Sequence, residues 1–474
     1  MGSIASSGST IVTAKTGRFR RRIAFGVIAL VLLLIGGGIA LTNALSGPAA
    51  KSPAATVASA TLPSFGPVTP VLAALAGSAP APDPAALKTA LSPLLGAPAL
   101  GDGVTASVLD VKTGNVLLDE NASTPAAPAS TAKLLTSAAV LTTLGPSATL
   151  ATKVVAGANP GEVVLVGGGD PTLSRTAPSK TYPGAATMAD LATQVRAAVP
   201  AATPITRVVV DSSLFTGPLT AAGWAPGDAP SSYAAPVTAT AVDGARTSPG
   251  SLGRSGAPGT DAGAALADAL GVPGAAVALG TAPQGAKTLG TVHSAPIERL
   301  VEQALSMSDN MLAEALARQV AIARHLPASF EGSAQAVSAA LTQAGVDVTG
   351  VTLVDGSGLS RQDRIPAGVL AHVVRSSADG TLGNAADLLS GLPVAGYDGT
   401  LADRGDSDPK TAPGTVRAKT GTLLGVHALA GTVVDADGRL LAFALLANNA
   451  PGSESAAEGA LDVVATELAR CGCR

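Results

Sequence analysis

Three short motifs in a fixed order constrain this chain more than any other feature. They are Ser130-Thr131-Ala132-Lys133, Ser308-Asp309-Asn310 and Lys419-Thr420-Gly421-Thr422. The patterns Ser-x-x-Lys, Ser-x-Asn and Lys-Thr-Gly together supply the hydroxyl, ammonium and amide groups that one acyl-transfer site needs. The fold must therefore bring three widely separated parts of the chain together.

Each motif alone is weak evidence, because copies of two of them occur elsewhere. Lys-Thr-Gly also begins at Lys15 and Lys112, and Ser-x-x-Lys also begins at Ser407, whereas Ser-x-Asn occurs only at Ser308. The copy at Ser407 has Pro409 before its lysine, which excludes a helix interior. The copy at Lys112 lies between two alternating apolar runs, which predict a β-hairpin with this copy in its turn.

The first motif has the context that a nucleophilic serine needs. A serine hydroxyl is a weak nucleophile without a base within hydrogen-bond reach. The run from Thr131 to Leu144, followed by Gly145-Pro146, predicts a buried helix. On a helix Lys133 lies one turn after Ser130, and burial lowers the pKa of an ammonium enough for it to act as a base.

The other two motifs supply complementary groups. Ser308 offers a hydroxyl that can relay a proton, and Asn310 offers an amide that can hold a substrate backbone. Lys419 begins a predicted strand and offers a positive charge to a substrate carboxylate, Thr420 and Thr422 offer hydroxyl donors, and Gly421 allows close approach. A helix cap at Ser308-Asn310 and a solvated edge strand at Lys419 are the structural alternatives.

Composition excludes several classes of function. The net charge is −3, and because residues 1–22 hold five basic and no acidic residues, the remainder carries −8, which argues against a nucleic-acid partner. The four histidines form no metal-ligand spacing, so we expect neither metal nor cofactor. Aromatic residues make up 2% of the chain, so its cores must consist mainly of Ala, Val and Leu. Cys471 and Cys473 are too close for an unstrained disulfide, which leaves a redox or metal pair as the alternative.

The N-terminal region predicts export. Residues 1–22 form a basic tail, residues 23–42 an apolar transmembrane anchor, and residues 43–82 an Ala/Pro-rich disordered linker. A cleaved signal peptide, giving a secreted protein, is the alternative for residues 23–42. In both cases we expect the rest of the chain outside the cytoplasm.

The remaining sequence predicts one interrupted domain of α/β (α+β) class. Residues 83–150 and 291–474 would form a catalytic domain in which helices flank an antiparallel sheet made from both chain ends. Between the first and second motifs, residues 151–290 would form a smaller inserted domain, with short strands, Gly-rich turns and a polar stretch from Arg246 to Gly259. The Gly-rich run at 167–169 lacks a Gly-Lys-Ser/Thr ending and is interpreted as a structural turn.

Beyond the three motifs, several segments resemble one enzyme family. The chain is similar to the D-alanyl-D-alanine carboxypeptidases of the low-molecular-mass class C penicillin-binding proteins, whose catalytic domain has the transpeptidase/β-lactamase-like fold. The similarity covers roughly residues 85–470. The matching segments are Leu165–Thr172, Val209–Ser213, Ser294–Pro296, Ala313-Glu314, Asp355–Ser360, Leu392–Gly396 and Gly399–Leu401.

The resemblance implies removal of the terminal D-Ala from peptidoglycan stem peptides, or cleavage of D-Ala cross-links, with covalent inhibition by β-lactam antibiotics. By motif position Ser130 would be the nucleophile, Lys133 the general base and Ser308 the proton relay. Asn310 would bind substrate, and Lys419, Thr420, Gly421 and Thr422 would bind its carboxylate end. The backbone N–H groups of Ser130 and Thr422 would form the oxyanion hole.

Two other functions remain open from the sequence. A β-lactamase shares much of this chemistry but must deacylate fast, and no Glu-x-x-Leu-Asn element stands out to position a deacylating water. A non-catalytic cell-wall-binding protein could retain the fold without the activity. The preferred peptide and the oligomeric state do not follow from the sequence.

Overall fold

The computed structural model describes residues 78–200, 202–404 and 414–472. The predicted basic tail, the apolar segment and most of the predicted linker lie outside the described residues. Among the helices that are described, none is both long and apolar enough to cross a membrane.

The described part contains nine α-helices and twelve strands. The helices are α1 Pro84–Leu95, α2 Lys133–Leu144, α3 Met188–Ala198, α4 Pro258–Ala269, α5 Ile297–Ser306, α6 Asn310–Ala323, α7 Phe330–Gln343, α8 Ala367–Ala378 and α9 Glu454–Arg470. The strands are β1 Gly103–Asp110, β2 Val116–Glu120, β3 Pro125–Ala126, β4 Ala151–Ala156, β5 Glu162–Val166, β6 Arg207–Asp211, β7 Ala276–Leu279, β8 Thr288–His293, β9 Ile365–Pro366, β10 Val416–Leu423, β11 Val426–Val434 and β12 Leu440–Asn448.

The main sheet joins the two ends of the described chain. Its order is β10-β11-β12-β1-β2, and every neighbouring pair is antiparallel. Helices α2 and α5 to α8 share one apolar core on one face, and α1 and α9 share another core on the opposite face. The predicted α/β fold with an antiparallel sheet flanked by helices is therefore confirmed.

Strand β10 lies at the edge of this sheet. The outer side of its first half is covered, because Ala418 N–H donates to Pro393 O and Ala395 N–H donates to Val416 O, both at 3.0 Å. After Ala418, no backbone hydrogen bond among the described residues covers this edge. The uncovered half carries the third motif.

The region predicted as an insertion contains a sheet of its own. Its order is β7-β6-β5-β4-β8, with β5, β6 and β7 parallel and the other pairs antiparallel. Helices α3 and α4 share an apolar core with this sheet. The sequence pattern predicted strands here but neither helix, although parallel strands need crossover connections of this kind.

The element boundaries agree closely with the sequence patterns, except at the turn that carries Ser130. The predicted hairpin is present as β1–β2 with Lys112 between its strands, α2 ends at Leu144 as predicted, and the strand that carries the third motif begins at Val416, three residues before Lys419. The first-motif helix was predicted to begin at Thr131, but α2 begins at Lys133 after a 3₁₀ turn over Ala129–Ala132. Cys471, whose role the sequence left open, is buried and disulfide-bonded.

Candidate active site

Ser130 lies on the 3₁₀ turn that leads into α2, and this turn is strained. Ala129 adopts φ +47°, a left-handed conformation that costs a non-glycine residue about 1–2 kcal/mol. The turn is held from outside, because Gly358 (φ +77°) packs so closely that a Cβ there would collide with the Ala129 carbonyl. The hydroxyl of Thr131 closes the turn by donating to Pro128 O at 2.6 Å. Strain that the surroundings maintain in this way is typical of functional sites.

The side chain of Lys133 is fully buried and connects the first two motifs. Its Nζ donates to Ser130 Oγ at 2.9 Å, to Asn310 Oδ1 at 2.6 Å and to the carbonyl oxygen of Ser357 at 2.8 Å. An ammonium has three N–H donors, so all three are used. The predicted proximity of Ser130 and Lys133 is therefore present, and Asn310 joins them.

Burial makes Lys133 a base near neutral pH. Loss of hydration lowers its pKa from 10.5 to about 8, and the negative charges of Asp355, Glu314, Asp309 and Asp363 oppose that shift. With such a pKa, Lys133 is neutral in roughly a tenth of the protein molecules at pH 7. A neutral Nζ at hydrogen-bond distance can accept the proton of the serine hydroxyl.

Ser308, in the second motif, precedes α6 in a strained conformation. Ser308 is half-buried and adopts φ +54°. Asp309 caps the helix, since its Oδ1 accepts from Met311 N at 2.9 Å and Leu312 N at 3.2 Å. Among the described residues the Ser308 hydroxyl has no hydrogen-bond partner, whereas Asn310 Nδ2 donates to Tyr233 O at 3.2 Å. The hydroxyl is therefore available to another molecule.

The third motif lies against the turn that carries Ser130. A Cβ on Gly421 would come within 2.8 Å of Pro128 O, so only glycine lets the strand and the turn approach this closely. Lys419 is fully buried, and its Nζ donates to the Thr420 carbonyl at 2.8 Å. Burial lowers the pKa of Lys419 well below its usual value, and the charge of Lys133 adds to this effect.

The two threonines of this motif point to the opposite face of the sheet from Lys419. Thr420 Oγ1 donates to Thr400 Oγ1 at 2.9 Å, and Thr422 Oγ1 donates to Glu458 Oε1 of α9 at 3.1 Å. Arg404 holds the other oxygen of Glu458 at 3.0 Å. Both hydroxyls therefore already donate to protein groups, and the predicted binding of a substrate carboxylate would require them to exchange partners.

A group of buried acids lies behind Lys133, and none of them had a predicted role. Asp355 accepts from the backbone N–H groups of Ser357 at 3.0 Å, Gly358 at 2.6 Å and Ser360 at 2.7 Å, and from Trp224 Nε1 at 2.7 Å. These bonds shape the loop whose Ser357 carbonyl accepts from Lys133. The segment stood out only as part of a family pattern, and nothing local in it indicates contact with Lys133.

Two further acids support the same loop. Glu314 Oε1 accepts from Gly356 N at 3.0 Å, while Oε2 pairs with Arg318 at 3.1 Å, and burial raises the pKa of Glu314 to about 7. Asp363 Oδ1 accepts from Val354 N at 2.6 Å, and burial together with the neighbouring Asp355 raises the pKa of Asp363 well above its ordinary value.

Known proteins identify the family. The sequence pattern of the D-Ala-D-Ala carboxypeptidase 3 (S13) family matches residues 87–251 and 247–468. Carboxypeptidase DacB of Mycolicibacterium smegmatis is 42% identical over 469 residues, which cover 96% of this chain and 99% of that protein. The chain belongs to the D-Ala-D-Ala carboxypeptidase 3 (S13) family.

Other relatives agree with this S13 assignment. Carboxypeptidase Rv3627c of Mycobacterium tuberculosis is 41% identical over 407 residues, which cover 84% of this chain and 87% of that protein. Penicillin-binding protein 4 of Haemophilus influenzae has the same fold, with a TM-score of 0.63 at 24% identity over 81% of this chain and 97% of its own. The protein is thus a serine-type D-Ala-D-Ala carboxypeptidase, a hydrolase, and the predicted resemblance to class C penicillin-binding proteins is confirmed. The β-lactamase alternative receives no support from these relatives.

Proposed function

We propose that this S13 carboxypeptidase releases the terminal D-Ala of peptidoglycan stem peptides through an ester of Ser130. Lys133 Nζ, in its neutral form, takes the hydroxyl proton as Ser130 Oγ bonds to the carbonyl carbon of the penultimate D-Ala. The C–N bond then breaks, Ser308 passes a proton to the leaving amine, and water hydrolyses the ester. The observation that carries this proposal is the 2.9 Å hydrogen bond between Lys133 Nζ and Ser130 Oγ.

Lys419 is the proposed partner of the substrate's terminal carboxylate. Its buried Nζ has contacts with Thr420 and no ion pair with any acid of the described residues. A second buried ammonium, Lys133, lies close enough to lower the pKa of Lys419. An anion that pairs with Lys419 would offset both this repulsion and the cost of burying an ammonium without a counter-charge.

The edge of β10 supports the proposed oxyanion hole. The backbone groups of Val416 and Ala418 point outward, as their bonds to residues 393–395 demonstrate, whereas the Thr415 carbonyl accepts from Val434 N on β11. Backbone direction alternates along an antiparallel edge strand, so the N–H of Thr422 also points outward. It can therefore donate, with Ser130 N–H, to a developing oxyanion.

We also propose that β-lactams acylate the same serine. The Haemophilus penicillin-binding protein 4, which has this fold, has also been solved in complex with a β-lactam. Fluorescent penicillin should label the wild-type protein, while Ser130→Ala should abolish labelling and D-Ala release with little effect on thermal unfolding, because one lost hydroxyl costs about 1 kcal/mol. An adduct on another serine in the mass spectrum would overturn the assignment. Rapid turnover of a chromogenic cephalosporin would instead favour a β-lactamase.

The proposed location is outside the cytoplasmic membrane, on an N-terminal anchor. The apolar segment 23–42 behind a basic tail supports an anchor with a cytoplasmic N-terminus. Protease added to spheroplasts should release a penicillin-labelling fragment cut between residues 46 and 82. Complete protection of the catalytic body would refute this topology, and a labelled fragment released without protease would favour a cleaved signal.

A further inference from the structure

Asp309, the central residue of the second motif, is held by the inserted region. Its carboxylate is 3% exposed. Besides capping α6, it accepts from Tyr182 Oη at 2.7 Å and pairs with Arg246 at 3.5 Å and Arg254 at 3.3 Å. All three partners precede β8, within the region predicted as an insertion. We refer to Tyr182, Arg246 and Arg254 as the clamp.

The members of the clamp are fixed to one another. Arg246 donates to Tyr182 Oη at 2.9 Å and lies over its ring, with Cζ 5.5 Å from the ring centroid. Arg254 donates to the carbonyl oxygen of Gly244. The turn at residues 243–245 has three consecutive positive φ angles, of 51°, 65° and 62°. A Cβ on Gly244 would collide with all three clamp side chains.

The backbone is strained on both sides of the contact between Asp309 and the clamp, which points to a functional role for this contact. The turn at 243–245 and Ser308 all adopt left-handed conformations, which non-glycine residues avoid unless their surroundings enforce them. Asp309 connects the strained turn at 243–245 to the second motif, because its neighbours in the chain are the half-buried Ser308 and Asn310, which accepts from Lys133. Loss of the clamp would free the carboxylate to move and would release both neighbours.

We propose that Tyr182, Arg246 and Arg254 are positioning residues, which fix Ser308 and Asn310 relative to Ser130 and Lys133 by holding the Asp309 carboxylate. The inserted region thereby takes part in the reaction without touching substrate through these residues. The inference rests on the proposed roles of Ser308 and Asn310.

The clamp also acts on Lys133 through charge. Negative charge on Asp309, Asp355, Glu314 and Asp363 raises the pKa of Lys133 against the effect of burial, and the nearby Lys419 is cationic when protonated. The positive charges of Arg246 and Arg254 partly neutralise Asp309. Removing one arginine therefore exposes Lys133 to more negative charge, whereas removing the charge of Asp309 does the opposite.

The test is the pH dependence of acylation of the full-length protein by fluorescent penicillin. Arg254→Gln and Arg246→Gln should lower the acylation rate about 10- to 100-fold through misplacement of the second motif. In both arginine variants the acylation rate should also begin to rise at a higher pH than in the wild type. Asp309→Asn should lower the rate as well but should move the rise to lower pH. Arg207→Gln, which removes the more exposed pair with Glu162 on the inserted sheet, is the matched control and should change neither.

The outcomes separate the two proposals. Opposite pH displacements in the arginine and aspartate variants would establish the clamp. Wild-type rates, or an equal loss at every pH with a lowered Tm, would overturn it and indicate a purely structural network. If Arg254→Gln does not fold, the more exposed Arg246 carries the same prediction. Absence of labelling in the wild-type protein, or labelling of Ser130→Ala, would instead refute the proposed function.

Discussion

Replacement of Lys419 should have opposite effects on activity and stability. The free enzyme buries this ammonium without an acidic partner among the described residues, which lowers its pKa well below 10.5. A lysine whose pKa is lowered by folding destabilises the folded state when it must carry charge, so the penalty grows as pH falls below the unfolded-state pKa. Lys419→Met removes the charge and nearly preserves volume. It should therefore stabilise the fold at pH 7 by at least about 1 kcal/mol.

The same substitution should severely damage catalysis. A charge-assisted contact with a substrate carboxylate in a desolvated cleft contributes about 2–4 kcal/mol, which corresponds to a roughly 30- to 1,000-fold loss in kcat/KM. Release of D-Ala from diacetyl-Lys-D-Ala-D-Ala measures this loss. A calorimetric scan of Lys419→Met should detect a Tm raised by about 2 °C or more relative to the wild type.

The chain contains its own control for this experiment. Lys112 begins another Lys-Thr-Gly sequence, but it is exposed on the turn between β1 and β2. Lys112→Met should change kcat/KM and stability within about 0.5 kcal/mol. Equal losses of activity in both variants would place the carboxylate site elsewhere. A Tm that falls on replacement of Lys419 would show that favourable interactions in the folded state outweigh the cost of burying this ammonium.

Three further predictions concern the same site. Because burial lowers the pKa of Lys133 to about 8, the acylation rate should rise with pH through about 8 and level off above it, and a rise centred near 10 would contradict a buried base. Glu458→Gln removes a negative charge beside Thr422, so KM for a peptide with a free carboxylate should fall about 3- to 5-fold, and an unchanged or higher KM would refute this effect. In Gly421→Ala the new methyl group would press on the Pro128 carbonyl, so acylation should slow at least about 10-fold. Labelling of this variant at the wild-type rate would disprove the prediction.

Local patterns predicted most of the scaffold. The alternation of apolar residues in β1 and the apolar run of α2 reflect burial on one or both faces, which depends mainly on nearby sequence. The i, i+3 spacing likewise placed Lys133 beside Ser130. These features need no knowledge of distant partners.

The long-range contacts of the site were not predictable in this way. The 3₁₀ turn at Ser130 depends on packing against Gly358, and the third acceptor of Lys133 is a backbone carbonyl, which has no sequence signature. The sequence analysis described the stretch from Arg246 to Gly259 only as polar. Its charges are explained by Asp309, a residue far along the chain, and a single sequence does not record such pairings.

The half-covered edge of β10 has a consequence for how peptides are recognised. Its first half is paired with residues 393–395, which shortens the exposed edge and protects it from pairing with other chains. From Lys419 onward the strand can accept an extended peptide as an additional strand, in the manner of β-augmentation. Main-chain hydrogen bonds of that kind do not depend on side-chain identity. Under the proposed function, the open edge would hold the ends of many different peptides in register with Ser130, while selectivity would depend on the groups around this serine.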